Sequence, residues 1–202
     1  MKKSRLEAFS DGVFAIVITL LILDIRLPHG NYTQLQDALI KLLPNIGIYV
    51  LSFVLIGMYW VFHHHTFQFV HEVDGVLLWL NIIFLLSISF MPFPTSLMGA
   101  YPFRTIPVVI YGSNLLFANM MGYLGIVYIH RNRQLASEIF TKKLFRSQQL
   151  VYLTVNGMYM ICIFLAFFTP LVSGILFGAI ALYLMIRSVF FMGIGKRDFS
   201  QN

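Results

Sequence analysis

The chain has 202 residues, 58% of them hydrophobic and 11% charged, with a net charge of +6 and a mean hydropathy of +0.79. Soluble domains hold about 45–50% apolar and about 25% charged residues, so the composition excludes a soluble globular protein and leaves almost no chain for a soluble domain beside the membrane part. The positive balance does not read as nucleic-acid binding, because the basic residues sit between hydrophobic runs, where orientation in a bilayer accounts for them. Cys162 stands alone in an apolar run, which excludes a disulfide framework and a cysteine metal site.

The first element opens with Lys2-Lys3-Ser4-Arg5 and imitates a secretory signal. The run ends instead in Asp24-Ile25-Arg26-Leu27-Pro28 without a small-residue cleavage pattern, so an uncleaved helix over 4–27 is expected. Between Asp11 and Asp24 lie only Gly12 to Leu23, short of the about 20 apolar residues a span requires. Ser10 and Asp11 at one end, or Asp24 at the other, therefore lie at membrane depth. A carboxylate there costs at least about 2.5–3.5 kcal/mol and must face protein or water. Ser10 and Asp11 would also suit a helix N-cap, but residues 5–9 show no break. A helix begun near Ser4 puts Asp11 about two turns inside, in need of a partner, for which Arg5 and His63 are the charged candidates. Ile16, Thr19 or Leu20, and Leu23 recur on one face; taken alone, such a stripe more commonly means ordinary packing.

Four uncharged windows place the remaining spans. They predict helices over 42–68, over 74–98 with a kink at Met91-Pro92-Phe93-Pro94, and over 105–130 closed by His130 and Arg131. From Ser147 to Ile186 there is no Asp, Glu, Lys, Arg or His, enough for two helices over 146–168 and 171–192 with Thr169-Pro170 as the turn. The fold class is all-α, a six-helix integral membrane bundle forming a single unit. Lys2, Lys3 and Arg5, then Arg131, Arg133, Lys142, Lys143 and Arg146, then Lys196 and Arg197 share one side in this arrangement, which puts both termini in the cytoplasm of a multi-pass inner (plasma) membrane protein. The second connection, with His71, Glu72 and Asp74, falls on that side yet lacks Lys and Arg.

Trp60 and His63 share a face of the second helix, and Asn81 lies on the third. Each can hydrogen-bond Ser10 or Asp11, either as interhelical glue or as part of a gate. His63, His64 and His65 are consecutive and fan around the helix, so they cannot jointly clamp one ion; no metal site or cofactor is expected. Gly122-Tyr123-Leu124-Gly125 echoes a potassium filter but lacks the Thr-Val opening and the pore helix.

Arg5-x-x-x-Phe9-Ser10-Asp11, continued by Trp60-x-x-His63-x-x-x-Phe67-Gln68, Leu80-Asn81, Pro92 and Ser96-Leu97, resembles the transmembrane protein 175 family of potassium channels. The resemblance is close over the first half and rests on hydrophobic pattern in the second. It implies a homotetramer in the lipid bilayer, with the first helix of each subunit lining a central pore. It implies a constriction at Ile16, with Thr19, Leu20 and Leu23 on the following turns. Arg5, Ser10 and Asp11 would face away from the pore toward Trp60, His63 and Asn81, with His63 the ring in the network. The expected function is a cation channel modestly selective for potassium over sodium, with Asp24 at the pore mouth and no nucleic-acid partner. A cation- or proton-coupled transporter is the alternative, but transporters usually carry intramembrane ionisable groups in several helices, which the last spans lack. An enzyme is not expected, since convergent acid–base groups occur only near His63–His71.

Overall fold

The computed structural model describes residues 2–26 and 35–199, with side chains described as far as Ser188 and that of Asp24 excepted. The helices are α1 (Lys3–Leu20), α2 (Leu35–Gln68), α3 (Gly75–Phe90), α4 (Pro92–Ala100), α5 (Thr105–Arg131), α6 (Lys142–Ala166) and α7 (Pro170–Phe199), and a tight turn, Leu21–Asp24, extends α1. α3 and α4 form one broken span, so the chain is an all-α six-helix membrane bundle. Five of the spans are long and apolar enough by hydropathy alone. The exception is α5, whose Asn114 and Asn119 dilute its apolar sequence. It is also the central helix, packed on α3, α4, α6 and α7, where polar groups find partners inside the protein.

Helix boundaries depart from the uncharged windows where chain ends leave the apolar layer. α2 starts at Leu35 rather than 42 and takes Asp37 and Lys41 into its first turns. Its 34 residues rise about 51 Å, well beyond a hydrocarbon core of about 30 Å. The window therefore marks the entry into the apolar layer, not the start of the helix. The third span breaks at Met91. Proline suits the first position of a helix because its missing N–H has no partner there, and Pro92 takes that place in α4. Met91 N–H tightens onto the carbonyl of Ile88 at 3.1 Å, which frees the carbonyl of Ser87. Asn114 of α5 donates its amide to that carbonyl at 3.0 Å, so the break leaves no orphan in the apolar layer. Thr95 donates to Ser52 at 2.8 Å, and Ser52 lies 3.0 Å from Tyr111 Oη; these bonds tie the break to α2 and α5.

Close approach of α5 to its neighbours rests on two glycines. A Cβ at Gly112 would meet Ile163 and Phe177 at 2.9 Å, and one at Gly122 would meet the Tyr152 ring at 3.0 Å. Gly122 to Gly125 lie in the uninterrupted α5 helix. The α6–α7 turn falls at Phe167–Thr169, with Pro170 opening α7.

A second, smaller core closes one end of the bundle. Leu6, Phe67, Phe69, Val70, Val73, Leu77, Ile129 and Phe140 are buried together there. The α2–α3 and α5–α6 connections are stitched by His71 N–H to Leu135 carbonyl at 2.7 Å and Ser137 N–H to Phe69 carbonyl at 2.8 Å. The second connection, though lacking Lys and Arg, thus sits at the same end as the basic α5–α6 connection and the start of α1. Asp74 caps α3 by accepting from Leu77 N–H at 2.8 Å. Burial pushes its carboxyl up, but the Tyr128 hydroxyl and the Leu77 and Val76 amides outweigh burial and hold it below the ordinary carboxylate range.

Candidate functional site

α1 divides into two faces. Leu6, Ser10, Phe14 and Val17 are buried, with Leu21 following at 1% exposure. Phe9, Asp11, Gly12, Ala15, Ile16, Thr19, Leu20, Ile22 and Leu23 are exposed on the protomer. The helix runs unbroken from Lys3, and Lys2 provides no side-chain cap. Ser10 and Asp11 are therefore interior helical residues and not an N-cap. Ser10 is fully buried and donates back to the Leu6 carbonyl at 2.9 Å.

The buried face is anchored by polar bonds to two other helices. Asn81 of α3 donates its amide N–H to Ser10 Oγ at 3.1 Å. Its amide oxygen lies 2.8 Å from His63 Nε2, so the ring donates there. His63 is clamped by aromatic rings, with Phe67 stacked at 4.4 Å, Phe84 at 5.7 Å and Phe14 of α1 tilted at 5.7 Å. Trp60 Nε1 donates to Asp11 Oδ1 at 2.8 Å, at the edge of this group. Two short chains of bonds, Trp60 to Asp11 and His63 through Asn81 to Ser10, thereby join α1 to α2 and α3.

Three sequence expectations are corrected here. Asp11 is exposed on the protomer and is bonded by Trp60, so neither Arg5 nor His63 is its hydrogen-bonding or ion-pair partner. Among the described residues the only ion pair is Lys3 with Glu7 at 3.8 Å; Arg5 is exposed and makes no side-chain bond to the network. Phe9 is 55% exposed and also stands outside it. The physical reason is helical phase. Residues 5 and 9 stack on a face different from that of Leu6, Ser10 and Phe14.

The three histidines take three settings. His63 is in the network, His64 stacks on Trp60 at 5.8 Å and lies 3.3 Å from the Gln68 amide, and His65 meets His64 edge-on. Ile16 and Leu23 are each 60% exposed, Leu20 is 43% exposed, and Thr19 is exposed beside them. The stripe is thus not core packing within one protomer. Thr19 donates its hydroxyl to the carbonyls of Ile16 at 2.8 Å and Ala15 at 3.2 Å, which leaves its oxygen outward as an acceptor. The side chain of Asp24 lies outside the described residues. Sequence reasoning missed a second polar layer, in which Asn119 donates to Tyr152 carbonyl at 3.1 Å and Asn156 at 2.8 Å and Tyr59 donates to Leu115 carbonyl at 2.8 Å. Two asparagines five residues apart in an apolar span were the available signal.

The family model described as "Endosomal/lysosomal potassium channel TMEM175" matches residues 5–92. A Chryseobacterium protein named as a potassium channel is 43% identical over 119 residues, spanning 58% of this chain and 60% of that relative. One from Chamaesiphon minutus, also named as a potassium channel, is 31% identical across 91% of this chain and 94% of its own. A crystal structure of a lysosomal potassium-selective channel TMEM175 homolog from Chamaesiphon minutus superposes with a TM-score of 0.82 at 29% identity, covering 92% of this chain and 97% of that one.

Proposed function

The chain belongs to the transmembrane protein 175 family, and on that footing we propose that it is the subunit of a homotetrameric, potassium-conducting cation channel whose α1 helices line the pore. One observation carries the reading. Ile16, Thr19, Leu20 and Leu23 form an exposed stripe on α1, and Asp11, about two turns inside the same apolar helix and about 140° round it from Ile16, is exposed at the helix's flank and held by Trp60. A surface with that carboxylate cannot face hydrocarbon, so it faces water or another copy of the chain. One helix cannot enclose a path, and pore formation by α1 demands an oligomer. Four Ile16 side chains then form an apolar neck, Thr19 offers hydroxyl oxygens above it, and Leu20 and Leu23 continue the wall. The relatives named as potassium channels support the choice of ion. The basic end, with the start of α1 and the α5–α6 connection, lies on the cytoplasmic side of the cell membrane.

Purified protein reconstituted in liposomes is expected to pass potassium down its gradient, sodium less readily, and without a proton gradient. Flux that requires a proton gradient would establish the coupled-transporter reading instead. Asp24 closes the turn after α1, and four copies would form an acidic ring that concentrates cations. Asp24→Asn is then expected to lower single-channel conductance at low salt and to matter little at high salt, where screening is short-ranged; an unchanged low-salt conductance removes the ring.

A further inference from the structure

The end of the bundle that holds the small second core carries a concentration of charge that the pore does not use. Arg131 closes α5, Arg133 follows, and Lys142, Lys143 and Arg146 open α6; all five are exposed. Glu138 is the one acid in that stretch. Among the described residues none of the five lies within ion-pair distance of a carboxylate, and Arg133 donates instead to the Phe140 carbonyl at 3.3 Å. The first turn of α6 has no acid, although the positive end of a helix favours one. These cations therefore repel one another without internal compensation.

The segment between them is fixed in place. Leu135 and Phe140 are 7% and 1% exposed, and the backbone is tied to Phe69 and His71. His130 stacks on Phe145 at 3.8 Å, which holds the end of α5 against the first turns of α6. Amid the cations Ile139 is 59% exposed, an apolar side chain that nothing in the protomer covers. Basic residues at a helix end, held rigidly around an outward apolar side chain, match the boundary between headgroups and acyl chains.

We propose that Arg131, Lys142, Lys143 and Arg146 bind the headgroup of an anionic phospholipid, with Ile139 entering the upper acyl region. A soluble anion would meet the charges but would leave Ile139 in water. Phe140 shares its core with Leu6 of α1, so bound lipid clamps the connection against which the pore helix is seated. Binding does not depend on the channel reading, and its test uses no ion flux.

The test is the thermal unfolding midpoint of the full-length protein in neutral detergent, titrated with phosphatidylglycerol, phosphatidylcholine or inorganic phosphate. Phosphatidylglycerol is expected to raise the midpoint saturably, and phosphatidylcholine is not. A cation near a membrane surface contributes about 1 kcal/mol, which is about fivefold in affinity. The combined Lys142→Gln, Lys143→Gln and Arg146→Gln variant should then need on the order of a hundredfold more phosphatidylglycerol for half the effect, with a lipid-free midpoint no lower than that of the unaltered protein, since the repulsion is relieved. Ile139→Ser should weaken the lipid effect alone. Added salt should weaken it in the unaltered protein, which tests the charge requirement even if the variant fails to fold. Equal effects of the two lipids, a salt-independent effect, or full stabilisation by inorganic phosphate would overturn the proposal.

Discussion

Ile16→Asn is expected to raise potassium current and to bring potassium and sodium permeation closer together. Ile16 is 60% exposed on a face of α1 with no partner in its own protomer, and a ring of such side chains forms a neck that water fills poorly. An ion crossing it loses part of its hydration, and nothing in an apolar ring replaces the lost water. An amide at that position supplies oxygen and N–H groups and keeps the neck wet. A barrier lowered by only about 1.4 kcal/mol passes roughly tenfold more ions, and single-channel recording resolves that change. Discrimination falls because the cost of dehydration, which differs between the two ions, falls with it. Thr19, its hydroxyl proton already directed to the helix backbone, is the nearest hydroxyl to the neck. Polar replacements at Leu20 and Leu23 should do less if Ile16 is the narrowest level. An Ile16→Asn channel with unaltered current and ion preference would show that α1 does not line the pore.

Asn81→Ala is expected to unseat α1. Asn81 joins Ser10 on one side to His63 on the other, and it is 5% exposed. Its removal leaves the His63 N–H buried without an acceptor, at a cost of about 1–3 kcal/mol, and opens a gap beside Phe14 and Phe84. For a chain of this size each kcal/mol lowers the melting temperature by about 2–4 °C. In the proposed tetramer α1 is the surface for assembly, and the variant should then elute as smaller or heterogeneous species on size-exclusion chromatography. Asp11 offers a graded comparison. Asp11→Asn keeps an oxygen for Trp60 Nε1 and should assemble, whereas Asp11→Ala removes it and should not. Wild-type stability and assembly in both Asn81→Ala and Asp11→Ala would dismiss the network as the seat of the helix.

Much of this was settled by the order of residues alone. Composition and run length determined a six-helix membrane bundle, because crossing about 30 Å of hydrocarbon leaves few alternatives to long apolar helices. With too few residues between them to span, Asp11 or Asp24 had to face protein or water, and Trp60, His63 and Asn81 were legible as polar groups in apolar helices. Pairing was not legible. Which donor meets which acceptor depends on helical phase and on the contact between α1, α2 and α3, so Trp60 rather than Arg5 or His63 bonds Asp11, and Asn81 bridges His63 to Ser10. The stripe at Ile16, Thr19, Leu20 and Leu23 reads the same in sequence whether buried or bare, since hydropathy does not record a neighbour. Only the packed bundle, which takes Leu6, Ser10, Phe14 and Val17 inward, leaves that stripe exposed. The break at Met91 belongs to both levels: Pro92 dictates it locally, and Asn114, distant in sequence, makes it tolerable by reaching the carbonyl that the break sets free.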